Sequence, residues 1–127
     1  MDKKIVRTDD APAPIGPYNQ AVRTGHLLFV SGQIALHPQT GALVDTGIAD
    51  ETHQVMKNLH AILSAEGLGF QHVVKTTIFL SGMEYFAQVN DIYGQYFSGD
   101  FPARETVAVK TLPRHVNVEI SVIASFE

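Results

Sequence analysis

The stretch Val116-Asn117-Val118-Glu119-Ile120-Ser121-Val122-Ile123-Ala124-Ser125-Phe126 alternates with period two. Val116, Val118, Ile120, Val122, Ala124 and Phe126 fall on one side, and Asn117, Glu119, Ser121, Ile123 and Ser125 on the other. Successive side chains of a strand point to opposite faces, so the stretch predicts a strand with one face in a core. A sheet with one apolar face needs a second layer packed over it.

The segments before this strand supply that layer. Glu105 to Lys110 reads as another strand, joined to the last by a turn at Leu112-Pro113. Ser81-Gly82-Met83-Glu84 fits a capping box, and the helix it opens carries Phe86, Val89, Ile92, Tyr93 and Tyr96 on one face. Val73 to Leu80 is β-branched, apolar and alternating, hence a strand. Ile48 to Glu66 places Val55, Met56, Leu59, Ile62 and Leu63 on one helical stripe, and Gly67 suits the position just past its end. Asn19 to Arg23 and His26 to Ser31 read as strands around a Thr24-Gly25 turn, and His37 to Gly41 as a further turn. Pro12, Pro14 and Pro17 stiffen the loop before them.

The predicted order is three strands, two of them placed at Asn19 to Arg23 and His26 to Ser31, then helix, strand, helix, strand, strand. That is an α+β fold with a mixed sheet, and right-handed crossovers put both helices on one face. The opposite face then needs a cover, which self-association supplies most simply.

The chain has 127 residues, which predicts one domain over residues 1–127. Only 17% of them are charged, against about 25% in an average soluble domain, so some surface is expected to be hidden in an oligomer. A hydrophobic share of 45% excludes intrinsic disorder. The net charge of −4 argues against a nucleic-acid partner. Cysteine is absent, which removes disulfides, thiolate metal sites and thiol nucleophiles. No apolar run approaches the roughly 20 residues of a membrane helix. The start, Met1 to Arg7, has no apolar targeting core, so a cytoplasmic protein is expected.

Several chemistries are excluded by missing motifs. Neither phosphate-loop pattern is present, and Ser31-Gly32-Gln33 is not a nucleophile elbow. The six histidines form no H-x-H or H-x-x-x-H pair. His53 and His60 share a helix face but lie about 10 Å apart by helical rise, too far for one metal ion. No metal and no cofactor are expected. What remains is Phe101-Pro102-Ala103-Arg104 at a strand entry and Val118-Glu119-Ile120 on the last strand. If these two strands form a hairpin, Arg104 and Glu119 approach one another at one end of the sheet. The register stays open, a one-residue slip reverses the faces, and an ordinary surface ion pair is the plainer reading of the spacing. Tyr18 stands on the stiff loop, and Gly32 follows an apolar strand where a glycine admits a close approach to the backbone. A packed tyrosine and a bulge are the plainer readings of those two when each is taken alone.

Taken in order, Pro14-Ile15-Gly16-Pro17-Tyr18, Ser31-Gly32-Gln33-Ile34, Val74-Lys75-Thr76-Thr77, Phe86-Ala87-Gln88-Val89-Asn90, Phe101-Pro102-Ala103-Arg104, Leu112-Pro113 and Val118-Glu119-Ile120 form a pattern. It closely resembles the Rid family, the reactive intermediate deaminases or YjgF-like proteins, from about residue 5 to the C-terminus. The resemblance implies a chorismate-mutase-like fold and a homotrimer with three clefts between subunits. It implies hydrolysis of 2-enamino and 2-imino acids, such as 2-aminoacrylate and 2-iminobutanoate, to 2-oxo acids and ammonia. It also implies that Arg104 grips the substrate carboxylate and Glu119 positions water. Tyr18, Ser31, Gly32, Phe86, Asn90 and Thr106 would line the cleft. Many members carry Cys two positions after the arginine, and here that position is Thr106.

The chemistry suits these residues. A planar guanidinium matches a carboxylate in a two-pronged way that Lys cannot. An imine is already electrophilic, so orientation and proton transfer suffice. Three other functions compete. A non-catalytic trimer binding 2-oxo acids would use the same Arg104. An RNase or translation inhibitor would want a basic stripe that the strands lack. A chaperone-like surface role would persist without Arg104.

Overall fold

The computed structural model describes residues 2–127. The elements in order are β1 Lys4–Val6, β2 Ala21–Thr24, β3 Leu27–Gln33, α1 Ile48–Ala65, β4 Val73–Leu80, α2 Phe86–Gly94, β5 Ala103–Ala108 and β6 Val118–Ser125. This is the expected α+β order. The six strands form one mixed sheet in the order β1-β2-β3-β6-β4-β5.

The last strand sits at the centre of the sheet. Val118, Ile120, Val122 and Ala124 are all buried and face the two helices. They meet Leu28 and Val30 of β3 on one side, and Ile78 and Leu80 of β4 on the other. Val55, Met56, Leu59, Ile62 and Leu63 of α1 and Val89 and Tyr93 of α2 close the same core. The helix stripes read from the sequence are therefore the buried ones. α1 ends as expected at Gly67, whose φ is 73°. Gly67 N–H donates to Ser64 O and Leu68 N–H to Leu63 O, each at 3.0 Å, which is the Schellman pattern.

Two expectations fail. The strand over Glu105 to Lys110 does not form a hairpin with the last strand. β5 pairs in parallel with β4, and β6 pairs antiparallel with the other edge of β4. The physical reason is α2. A helix between two strands makes a crossover, and a crossover joins parallel neighbours. Residues 109–117 then carry the chain past β4, and Pro113 to His115 form a 3-10 turn instead of a hairpin turn. The capping box at Ser81 is also absent. Ser81 Oγ bonds Asn117 Oδ1 at 2.8 Å, and the chain makes a 3-10 turn over Met83–Tyr85 before α2 begins.

Buried polar side chains tie the ends of the strands down. The Glu51 carboxylate of α1 accepts from Asn117 N–H at 2.7 Å, Asn117 Nδ2 at 3.1 Å and Val118 N–H at 3.0 Å. This fixes the entry of β6 one residue before Glu119. Asn58 Nδ2 donates to Ile34 O at 3.1 Å and Leu36 O at 3.0 Å, holding the loop that follows β3.

Among the described residues no helix covers the far face of the sheet. Its residues include Ile5, Phe29 and Val107, which are 46%, 42% and 44% exposed. Strand registers align Ile5, Val22, Phe29 and Ile123 into one apolar row across four strands. No helix among the described residues is long and apolar enough to cross a membrane.

Candidate functional site

Glu119 projects from the open face of β6, opposite Phe79 of β4. Beside it runs β3, which bulges. Val30 pairs with Val122 and Gln33 with Ile120, so β3 carries one residue more than β6 across this interval. Gly32 lies in the bulge. A Cβ built on it would overlap the Glu119 carboxylate, lying 2.9 Å from Cδ. The missing side chain at Gly32 is thus what makes room for Glu119.

Glu119, Gly32, Ser31 and Tyr18 line one cavity of about 450 Å³, walled mainly by carbon from Pro12, Ile15, Ile34, Leu36 and Pro113. Removal from water raises the Glu119 pKa above its ordinary value. The Ser31 hydroxyl is taken up by the carbonyl of Asn19 at 2.5 Å, and Ser31 N–H donates to Gln20 O at 2.9 Å. Ser31 therefore holds the loop that presents Tyr18. Arg114 also lines this cavity, from a turn in which Arg114 and His115 have φ of 56° and 57°. Two consecutive non-glycine residues in the left-handed region are uncommon. Nothing in the sequence around Pro113 signals this.

Arg104 belongs to the helix face. The parallel register puts it beside Thr76 of β4, whose side chain is fully buried. Arg104 Nη1 donates to Asn90 Oδ1 at 2.7 Å. The guanidinium carbon lies 5.3 Å from the Tyr93 ring centre and 5.8 Å from that of Phe86. Phe86, Asn90 and Tyr93 are one helical face of α2 at i, i+4 and i+7. A second cavity of about 460 Å³ opens here, lined by Asn90, Tyr93, Phe101, Pro102 and Arg104. Two positions along β5, Thr106 Oγ1 is buried and has no hydrogen-bond partner among the described residues. Buried hydroxyls are seldom left so.

The expected site residues thus form two groups. Tyr18, Ser31, Gly32 and Glu119 stand on the open side of the sheet. Phe86, Asn90, Arg104 and Thr106 stand on the helix side. Within one chain Arg104 and Glu119 do not meet, because the strands that carry them are separated by β4 and their side chains leave opposite faces. No carboxylate among the described residues pairs with Arg104; the ion pairs are Lys4–Glu66, His26–Glu127 and Lys75–Glu105. Among the described residues no three His, Cys, Asp or Glu side chains gather in a way that could hold a metal. His53 lies instead 2.7 Å from the Tyr96 hydroxyl.

An α+β protein with an arginine cavity on one side of its sheet and a glutamate cavity on the other is a definite class of molecule. A family model described as Endoribonuclease L-PSP matches residues 8–126, and the chain belongs to that family, the Rid or YjgF-like proteins. A mouse protein named 2-iminobutanoate/2-iminopropanoate deaminase is 48% identical over 122 residues, covering 96% of this chain and 90% of the relative. A RutC family protein of Synechocystis is 50% identical over 126 residues, covering 98% and 97%. The crystal structure of E. coli TdcF with bound serine superposes with a TM-score of 0.92 at 38% identity, covering 96% and 98%.

Proposed function

We propose that the chain hydrolyses 2-imino acids, and the 2-enamino acids that tautomerise to them, to 2-oxo acids and ammonia. The work is done in the cytoplasm, in clefts between subunits of a chorismate-mutase-like homotrimer. The observation that carries this reading is the division of the site. An arginine with no carboxylate partner among the described residues and a desolvated glutamate lie on opposite sides of one sheet, and no described helix covers the glutamate side. Packing the Arg104 side of one subunit against the open face of the next completes both halves. A relative 48% identical and named as such a deaminase supports the reaction class.

The residues then have these roles. Arg104 holds the substrate carboxylate through the N–H groups that Asn90 leaves free. Glu119 of the adjoining subunit orients a water molecule and takes its proton as the oxygen attacks C2. The C=N electron pair passes to nitrogen, which takes the proton from Glu119. In the carbinolamine so formed Glu119 removes the hydroxyl proton and returns it to nitrogen; the O–H electron pair closes C=O, C–N breaks, and ammonia leaves. One water is consumed and no oxidant is needed. An ordinary exposed glutamate is a poor base near neutral pH, and the raised pKa of Glu119 improves the match. Tyr18, Ser31 and the Gly32 backbone form the wall on the glutamate side. Phe86 and Asn90 form the wall on the arginine side, and the free Thr106 hydroxyl is offered to the substrate.

The test is a trapping assay. A threonine dehydratase supplies 2-iminobutanoate in situ, and semicarbazide competes for it. The wild type is expected to lower adduct formation, and Arg104→Ala to have lost at least about 100-fold in kcat/KM while staying folded. Substantial turnover by Arg104→Ala would remove the carboxylate clamp. No effect of either protein would leave a 2-oxo-acid-binding role, readable by titration with 2-oxobutanoate. An RNase role is disfavoured by the net charge of −4.

A further inference from the structure

Thr76 is an odd residue for its place. It is fully buried on the helix side of β4, between positions occupied by apolar residues, and its register partners are Val122 and Arg104. Its hydroxyl accepts from the Tyr93 hydroxyl at 2.9 Å. Tyr93 is itself only 4% exposed, so the two hydroxyls satisfy one another inside the core. A hydroxyl pair of this kind adds little to stability, because replacing both members with apolar groups of similar shape is close to neutral or better. Stability alone does not explain a threonine and a tyrosine here.

What the pair touches is Arg104. The Tyr93 ring lies 5.3 Å from its guanidinium carbon, within the distance of a cation–π contact. With Asn90 bonded to Nη1 and Phe86 5.8 Å away, the guanidinium is bounded on three sides by α2. The Asn90 bond fixes one nitrogen only. The group next to its remaining nitrogens is the ring of Tyr93, whose hydroxyl is tethered to Thr76. We propose that Tyr93 and Thr76 are positioning residues: their hydroxyl pair fixes the Tyr93 ring against Arg104 and so holds the guanidinium in the orientation that receives a carboxylate. The inference rests on the carboxylate-clamp reading of Arg104 given above. It extends that reading to two residues that act through Arg104, Thr76 from beneath the sheet surface and Tyr93 from the wall of the same cavity. Burial raises the Tyr93 pKa, against the lowering effects of Thr76 and Arg104, so the phenol stays a neutral donor.

The double variant Thr76→Val/Tyr93→Phe keeps the packing and removes the tether. Its melting temperature is expected to equal or exceed that of the wild type. In the same protein, 15N NMR of the Arg104 side chain is expected to show faster rotation of the guanidinium. The Kd for 2-oxobutanoate is expected to rise about 3- to 10-fold, the range one hydrogen bond supports. In an Arg104→Ala background the same two substitutions should leave the Kd unchanged. If the double variant does not fold, Tyr93→Phe alone carries the same measurements. Unchanged Arg104 rotation overturns the proposal, as does a Kd loss that persists without Arg104. If the wild type binds no 2-oxo acid, the clamp reading fails, and the NMR measurement still decides whether the pair positions Arg104.

Discussion

Glu119 sits among carbon atoms with its carboxyl partly out of water, and that placement has a thermodynamic sign. Its pKa is raised in the folded subunit, so the folded state holds its proton to higher pH than the unfolded chain does. Between the ordinary glutamate value and the raised one, the folded state binds more protons, and stability falls as pH rises through that interval. The favourable contribution is complete in acid and lost above the raised pKa. Glu119→Gln is therefore expected to be more stable than the wild type at neutral pH. The difference should shrink as pH falls below the ordinary glutamate range, and thermal melts at a series of pH values measure it. The same substitution should cost about 100-fold or more in deamination, since an amide takes no proton from water. A variant that gains stability while losing activity marks a residue retained for its chemistry.

At the scale of elements, the bulge in β3 is the feature on which the glutamate side depends. Gly32→Ala puts a methyl group where the Glu119 carboxylate lies. A carboxylate is the movable end of a side chain, so the cost to stability should be small, about 1 kcal/mol. The cost to kcat/KM should be about 100-fold, because the base is displaced by an ångström or more. A combined melt and imine-trapping assay separates the two effects. The elements differ in how far they were legible. β6 and α1 were plain, because alternation and a helical stripe are local patterns that burial then obeys. The pairing of β5 was not, because nothing local says which strand a strand will meet. Proximity in sequence suggested β6, while the crossover through α2 dictated β4. The Ser81 capping box failed for a related reason. Its hydroxyl found Asn117, far away in sequence, and no local signal records that. The site residues were recognisable because their short motifs occur together in a known order. Their faces were not, because a face depends on register, and the register that would relate Arg104 to Glu119 is left open by the sequence. Tyr93 was read as one more apolar residue on its helix, which it is, apart from its hydroxyl.

At the scale of the whole molecule, the sheet is a wall with a half-site on each side and one uncovered surface. The row Ile5, Val22, Phe29 and Ile123 runs across four strands, with Ile5 and Phe29 exposed, and a contiguous apolar surface of this kind is suited to an interface. Light scattering is expected to give a mass near three chains. Phe29→Glu at the middle of that row should lower the mass and the deamination together, and leave the helix content unchanged by circular dichroism. A monomeric wild type with full activity would overturn the shared cleft.

The opposed facing of Arg104 and Glu119 has a genetic consequence. If every working cleft borrows its arginine from one chain and its glutamate from the next, two dead proteins can repair one another. Arg104→Ala still owns a sound glutamate half, and Glu119→Gln a sound arginine half. Unfolded together in equal amounts and refolded, they should assemble at random, and about one cleft in four then joins two sound halves. Two null alleles expressed in one cell would complement, and neither would do so with itself.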